Sequence, residues 1–357
     1  MTSQKFFDPF VACFFALAIS ILLIPGRARG QLKKYADHDT SYYFSYRQKL
    51  IVRAYLARKY TSIILRPPNE NAAPVMTYRP NTSLNIGVGA TYRAITLDIG
   101  IGLTSFNSAN ERGKTRYLDF QTHFYTRKWN VDLLGEFYRG YYLAPEGVGT
   151  SAGNVFYLRN DLGLQLAGAS AYRALNDRRF SYQAALLQNE WQKKSAGSVL
   201  IGTQAFYGAI LGDSALVPTI VDPIYAQLAI SKVHFFEIGP GLGYAYCLVV
   251  QKYFFILASA TVNLDFRFSS EIEPDHMANK LDFTPNFIFY GGIGYNTQTW
   301  DISAKWLANE LYVKGAASGY RYSIAAGSYR LVFTKRFSLN RKERKALQPL
   351  NNLEINL

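Results

Sequence analysis

Residues 82 to 103 alternate so strictly that only extended chain accounts for them. Leu84, Ile86, Val88, Ala90 and Tyr92 interleave with Asn85, Gly87, Gly89 and Thr91. After Arg93 and Ala94, Ile95, Leu97, Ile99, Ile101 and Leu103 interleave with Thr96, Asp98, Gly100 and Gly102. A period of two with a two-residue break predicts a hairpin with one apolar face and one small or polar face. The design repeats: Leu118, Phe120, Thr122 and Phe124 oppose Asp119, Gln121, His123 and Tyr125, and Trp129, Val131, Leu133 and Phe137 oppose Asn130, Asp132 and Glu136. A face this charged cannot be the inside of a dry sandwich, because each unpaired charge there is costly.

Further strands are expected near 50–65, 155–168, 179–191, 198–208, 236–249, 253–268, 286–296, 300–311 and 320–337. Each reaches about ten residues or more, the length a tilted strand needs to cross the hydrocarbon of a bilayer. Short connections (Arg127-Lys128, Gln251-Lys252, Thr297-Gln298) contrast with long ones near 67–80, 141–154, 209–232, 269–283 and 312–319. Short turns on one side and long loops on the other are the habit of an outer-membrane barrel. The expected fold is therefore all-β, an antiparallel transmembrane β-barrel of about 12 to 14 strands. The segments give thirteen, and an odd number conflicts with the even rule of bacterial barrels, so one assignment between 155 and 211 must fail. Phe337 closes the last alternating run, and the basic tail 338–357 follows.

Composition agrees. Of 357 residues 49% are hydrophobic, 18% charged and 15% aromatic, with a mean hydropathy of -0.07, which excludes a disordered chain and a bundle of membrane helices. Lys5, the apolar run Phe10 to Ile24, Pro25-Gly26 and small residues at Ala28 and Gly30 form a secretory signal over 1–30, with cleavage before Gln31. The apolar run is shorter than the roughly 20 residues of a membrane helix. Residues 31–48 are then an N-terminal periplasmic segment and 49–337 the barrel. The formal charge of +14 falls to +12 once three basic residues and one acidic residue leave with the signal. An exported basic chain meets anionic lipid, not nucleic acid. Cys13 and Cys247 support neither a disulfide framework nor a thiolate zinc site. No metal or cofactor is expected.

The segments Lys194-Ser195-Ala196-Gly197-Ser198, Gly243-Tyr244-Ala245-Tyr246, Gly294-Tyr295-Asn296 and Asn176 to Tyr182, with Phe180-Ser181-Tyr182, resemble the domain of unknown function 4421 family. The resemblance covers nearly all of the mature chain. It implies a signal-bearing, outer-membrane-barrel-like protein of Bacteroidetes, and it supplies no activity and no catalytic residue.

The polar faces place Asp98, Asp119, His123, Asp132, Glu136, Arg159, Asp161, Asp265, Arg267, Asp301 and Lys305 in the lumen. Such residues either line a selective pore or pair into a filled interior, and the filled interior is favoured. His123 and Asp119 point the same way on one strand but stand about 13 Å apart, so a triad would need a hydroxyl from a neighbouring strand. A structural or transport barrel is the first functional reading and a lipid-modifying outer-membrane enzyme the alternative. Arg66, Arg79, Arg112, Lys114 and Arg116 flank long loops and are expected at the rim, facing membrane lipid, lipopolysaccharide in particular. Gly239-Pro-Gly-Leu-Gly243 lacks the Lys-Ser/Thr ending and helix of a phosphate loop and reads as a strand kink. The chain is expected to act as a monomer.

Overall fold

A computed structural model describes residues 38–346, except 47, 72, 93–94, 104–109 and 152. The expected signal, the Arg93-Ala94 turn and the end of the tail lie outside the described residues. Fifteen strands run β1 (Tyr43–Ser45), β2 (Lys49–Arg66), β3 (Met76–Arg79), β4 (Leu84–Tyr92), β5 (Ile95–Leu103), β6 (Arg116–Tyr125), β7 (Trp129–Ala144), β8 (Tyr157–Ala174), β9 (Glu190–Gln192), β10 (Ala196–Leu211), β11 (Lys232–Val250), β12 (Phe254–Ile272), β13 (Met277–Asn296), β14 (Trp300–Lys314) and β15 (Arg321–Ser338). Three short helices join them: α1 (Tyr182–Leu186), α2 (Pro223–Leu228) and α3 (Arg341–Ala346).

Neighbouring strands are antiparallel and follow chain order, and β15 pairs back onto β2 from Arg321↔Arg66 to Ser338↔Lys49. The ring closes through β3, which bonds β2 on one edge and β7 on the other. Ten strands make that circuit: β2, β3, β7, β8 and β10 to β15. Below β3 the hairpin β4–β5 hangs from β2, and β6 hangs from β7.

Alternation decides the faces. On β11 and β12, Phe236, Ile238, Leu242, Tyr244, Tyr246, Leu248, Phe254, Ile256, Val262, Leu264, Phe266 and Phe268 are exposed, whereas Glu237, Ser259, Thr261, Asn263, Asp265 and Arg267 are buried. Apolar outside and polar inside is the inverse of a soluble barrel and matches a wall solvated by hydrocarbon. Aromatic contacts run across the outer wall through Phe254, Tyr295, Trp300 and Phe333 near the short turns, and through Phe289, Trp306, Tyr329 and Tyr60 further along. Tyr and Trp suit an interface because one end of the ring is apolar and the other wet.

Three expectations need correction. The expected 12 to 14 strands become ten in the closed circuit, because the short β3 bridges β2 and β7 and leaves β4, β5 and β6 outside the ring. The segment 179–191 is no wall strand: it forms α1 and β9 inside the barrel, which removes the surplus strand. Ser181 caps α1 by accepting from the Ala184 N–H at 3.0 Å, so the backbone turns before a strand can extend. The expected long loop at 269–283 shrinks to residues 273–276, because β12 and β13 continue pairing to Ile272↔Met277. The polar residues Ser269, Ser270, Asn279, Lys280 and Asp282 are strand residues, interspersed with exposed Met277, Leu281 and Phe283.

Candidate functional site: a plugged lumen

The lumen is filled in three layers. At the long-loop end Tyr78, Leu143, Leu216, Val217, Tyr225 and Tyr322 pack into one apolar cluster, with the 212–231 connection and α2 folded inward. At the short-turn end Phe180, Tyr182, Leu186, Leu187, Cys247 and Phe255 pack into a second. Between them lies a polar layer. Arg267 lies 2.6 Å from Glu237, the Asn286 amide donates to Glu237 at 2.7 Å and to Asp265 at 2.6 Å, and Gln204 donates to Asp265 at 2.6 Å. Four adjacent strands are thus tied by side chains as well as by backbone. Ion pairs taken wholly out of water need further hydrogen bonds to satisfy them, and the amides of Asn286 and Gln204 supply part of these, while Asp265 Oδ1 and Arg267 Nη1 stay without one.

The second cluster belongs to an insert, residues 176–195, that enters from the end where β2 begins and β15 ends. Its β9 pairs with β1, so the segment before the barrel wall joins the same plug. The wall grips the insert by its carbonyls. Lys305 donates to the Leu186 carbonyl, and Arg336 donates to the Gln188 carbonyl through Nε (3.1 Å) and Nη2 (2.8 Å). The Tyr182 and Ser259 hydroxyls bond, Trp191 Nε1 donates to the Lys252 carbonyl at 2.7 Å, and Asn296 to that of Glu190 at 3.4 Å. Burial holds the Tyr182 phenol well above its ordinary pKa, so it acts as a neutral hydrogen-bonding group. At the hinge between β1 and β2, burial pushes Tyr46 up to about 12, with Arg336 opposing and Asp301 adding to the shift.

The eleven lumen candidates fall into separate groups. Arg267 and Asp265 belong to the polar layer. Arg159 lies 2.8 Å from Asp161 and donates to the Ala215 and Ser214 carbonyls, anchoring the long 212–231 connection. Asp301 and Lys305 sit beside the insert. Asp98, expected in a paired interior, sits 3.6 Å from Arg53 yet stays a quarter exposed, since its strand ends the sheet there. Asp119 is bonded by Lys59 and accepts from Tyr138 at 2.8 Å, while Glu136 accepts from Thr61 at 2.5 Å and Gln121 at 3.1 Å.

His123 and Asp132 come together. They are paired residues on β6 and β7, with Nδ1 2.5 Å from the carboxylate, and Tyr125 and Tyr290 donate to the same carboxylate at 2.7 and 2.8 Å. Ser170 follows on β8, opposite Asp132. The order across the wall is therefore His, Asp, Ser, whereas a nucleophile relay needs His in the middle. The hydroxyl beside His123 is that of Tyr125, 3.4 Å from the nitrogen that Asp132 already holds. The cavity they border, also lined by Gln121, Leu134 and Asn309, measures about 30 Å³, room for a few waters and not for a lipid. Among the described residues no group of His, Cys, Asp and Glu could hold a metal.

Sequence reasoning missed Arg53, Lys59, Glu237, Asn286 and Arg336. Parity would have found Arg53 and Lys59, which share a face with Ala57 and Thr61 on β2. Arg336 serves the insert, and no local pattern announces that.

The chain matches the DUF4421 family, a domain of unknown function, over residues 37–337. It belongs to that family. No curated protein matches it. Among solved structures the family member is similar to OmpT of Vibrio cholerae (8% identity, 81% of this chain and 98% of that chain, TM-score 0.28). It is also similar to the P. putida toluene transporter TodX (7%, 82% and 91%, TM-score 0.24) and to a Pseudomonas aeruginosa FadL homologue (8%, 82% and 91%, TM-score 0.20).

Proposed function

We propose that this DUF4421 protein is a single-chain barrel of the bacterial outer membrane that passes a solute when its insert and the inward-folded 212–231 connection withdraw. The apolar outer belt supports the location, since so much exposed Phe, Ile and Leu would aggregate in water. The observation that carries the transport role is the grip on residues 186–190. Basic side chains of the wall donate to insert carbonyls, a contact that holds the plug without making it part of the wall. The polar layer above would line the opened path.

The rim is assigned to lipid. Arg66 ends β2 at the long-loop side, Arg79 ends β3 further down the wall opposite Tyr142, and Arg112, Lys114 and Arg116 lie exposed on the connection into β6. Lipopolysaccharide phosphates at that height match them in charge. Replacing the five with Gln should lower copurifying lipopolysaccharide, and unchanged retention would remove this partner.

Transport is tested by conductance across planar bilayers. The native barrel should be nearly silent, whereas Lys305→Met and Arg336→Met combined with Arg159→Met, which frees the 212–231 connection, should produce frequent openings. A silent triple variant that keeps its heat-modifiable migration would leave a purely structural barrel.

A further inference from the structure

Arg330 is a lumen cation without a counter-charge among the described residues. Register sets its neighbours. β4 bonds β2, and β5 bonds only β4 among the described residues, so the β4–β5 hairpin hangs from β2 as a flap. Its inward positions continue those of β2, β15 and β14 in rows across the wall. One row runs Gly102, Asn85, Ala57, Arg330 and Lys305, and the next Gly100, Gly87, Tyr55, Val332 and Ser303. Arg330 and Lys305 stand directly opposite each other, an arrangement in which like charges repel. Lys305 turns to the Leu186 carbonyl of the insert. Arg330 has no such outlet. Its guanidinium lies over the Tyr55 ring at 5.9 Å, its Nε is shut from water, and it makes no hydrogen bond or ion pair among the described residues. The inward carboxylates around it are engaged elsewhere: Asp98 by Arg53, Asp119 by Lys59, and Asp301 by the Ser303 hydroxyl.

The space beside Arg330 is built from small residues. A Cβ at Gly87 would fall on the Tyr55 ring and one at Gly100 would lie 2.8 Å from its hydroxyl, so the ring rests on the hairpin because those positions are glycine. Asn85 leans toward Gly102, where an added Cβ would meet its Oδ1 at 3.5 Å. Gly100 and Gly102 are exposed, and Arg330, Tyr55 and Asn85 are half-buried, so water and small solutes reach this recess. The Tyr55 hydroxyl and the Asn85 amide, like the guanidinium, donate to nothing among the described residues. Three donors without acceptors therefore border one recess: a planar fork, a phenol and an amide. A carboxylate matches the set, since its two oxygens accept parallel N–H bonds from a guanidinium and keep lone pairs for the other two donors. Charge favours a monoanion. Arg53, Lys305 and Arg330 against Asp98 and Asp301 leave a single positive charge on this part of the inner wall, too little for a phosphate dianion. We propose that the recess binds the carboxylate of a small monoanionic solute, with Arg330 as the fork and Tyr55 and Asn85 as further donors. This rests on the solute passage proposed above and deepens it by naming the charged group of the solute.

The test titrates the full chain in detergent micelles with fluoroacetate and reads binding from broadening of the fluorine-19 line, which should saturate. Arg330→Gln should weaken binding about tenfold or more, and Arg330→Lys, which keeps the charge and loses the fork, by less. Tyr55→Phe should weaken it about threefold. Arg58→Gln, on the outward face of the same β2, should change nothing. Methylphosphonate, a dianion at mildly alkaline pH, should compete poorly, and uncharged fluoroacetamide should not bind. Heat-modifiable migration checks the fold of each variant, and Tyr55→Phe with Asn85→Ala carries the test where Arg330→Gln does not fold. No saturable binding, or binding that these variants leave unchanged, would overturn the proposal. Methylphosphonate bound more tightly than fluoroacetate would overturn the carboxylate assignment. Conductance separates this site from passage itself: fluoroacetate bound by a barrel whose triple variant stays silent would uphold the recess and remove the channel. An open triple variant whose native parent binds no fluoroacetate would keep the channel and overturn the recess.

Discussion

The wall has two unlike panels. Across β11, β12 and β13 the strands reach 19 or 20 residues, pair almost end to end, and keep strict alternation, with Glu237, Asp265, Arg267 and Asn286 locked together on the inner side. Across β4 and β5 the strands are nine residues long, β5 makes no second ladder among the described residues, and the inward positions include Gly87, Gly89, Gly100 and Gly102 with one paired carboxylate, Asp98. Both panels obey the same period of two. What separates them is the size and bonding of the inward residues, which in one panel weld strand to strand and in the other leave a flap. Local pattern makes a strand, and inward chemistry decides how firmly it joins the wall.

The largest contrast should come from breaking the inner pairs. Arg267→Met leaves Glu237 buried without its guanidinium and should cost about 3 to 5 kcal/mol, read by urea unfolding from vesicles. Arg53→Met, in the flap panel, leaves Asp98 with water to turn to and should cost about 1 kcal/mol or less. Equal losses would erase the distinction between the panels.

A second contrast concerns the faces of the flap. Ile99→Arg puts a charge on the lipid side and should cost about 2 to 4 kcal/mol if it lies near mid-membrane, while Asp98→Arg should cost less. If Asp98→Arg were the more disruptive for folding into bilayers, the two faces would be exchanged. A smaller effect is expected inside the barrel. Ser181→Ala removes the cap of α1, worth about 1 kcal/mol to the insert, and should raise channel opening without changing the unfolding midpoint of the wall.

Much of this was legible in the sequence. The hairpin at 84–103, the pair 116–144 and the long strands to Ser338 follow from alternation, as does the burial of Glu136, Asp265 and Asp301. Residues 179–191 misled because Phe180, Tyr182 and Trp191 look like strand residues, whereas their burial is that of an insert between walls, a tertiary fact. The meeting of His123, Asp132 and Ser170 depends on register between three strands, which turn residues alone do not fix. The place of β5 and β6 in the wall was illegible for a related reason: each carries a full alternating pattern, and nothing in either one records which strands it pairs with.

The measurement that tests the two-panel wall most directly is amide hydrogen exchange in lipid vesicles, resolved strand by strand. Amides of β12 and β13 should be protected throughout, because both edges of β12 and the length of β13 are in ladders. In β5 and β6 the amides that bond β4 and β7 should be protected, and those on the edges that carry no ladder among the described residues should exchange orders of magnitude faster. Protection of both sets in β5 and β6, equal to that of β12, would mean that the two strands pair and that the wall is closed along its whole height.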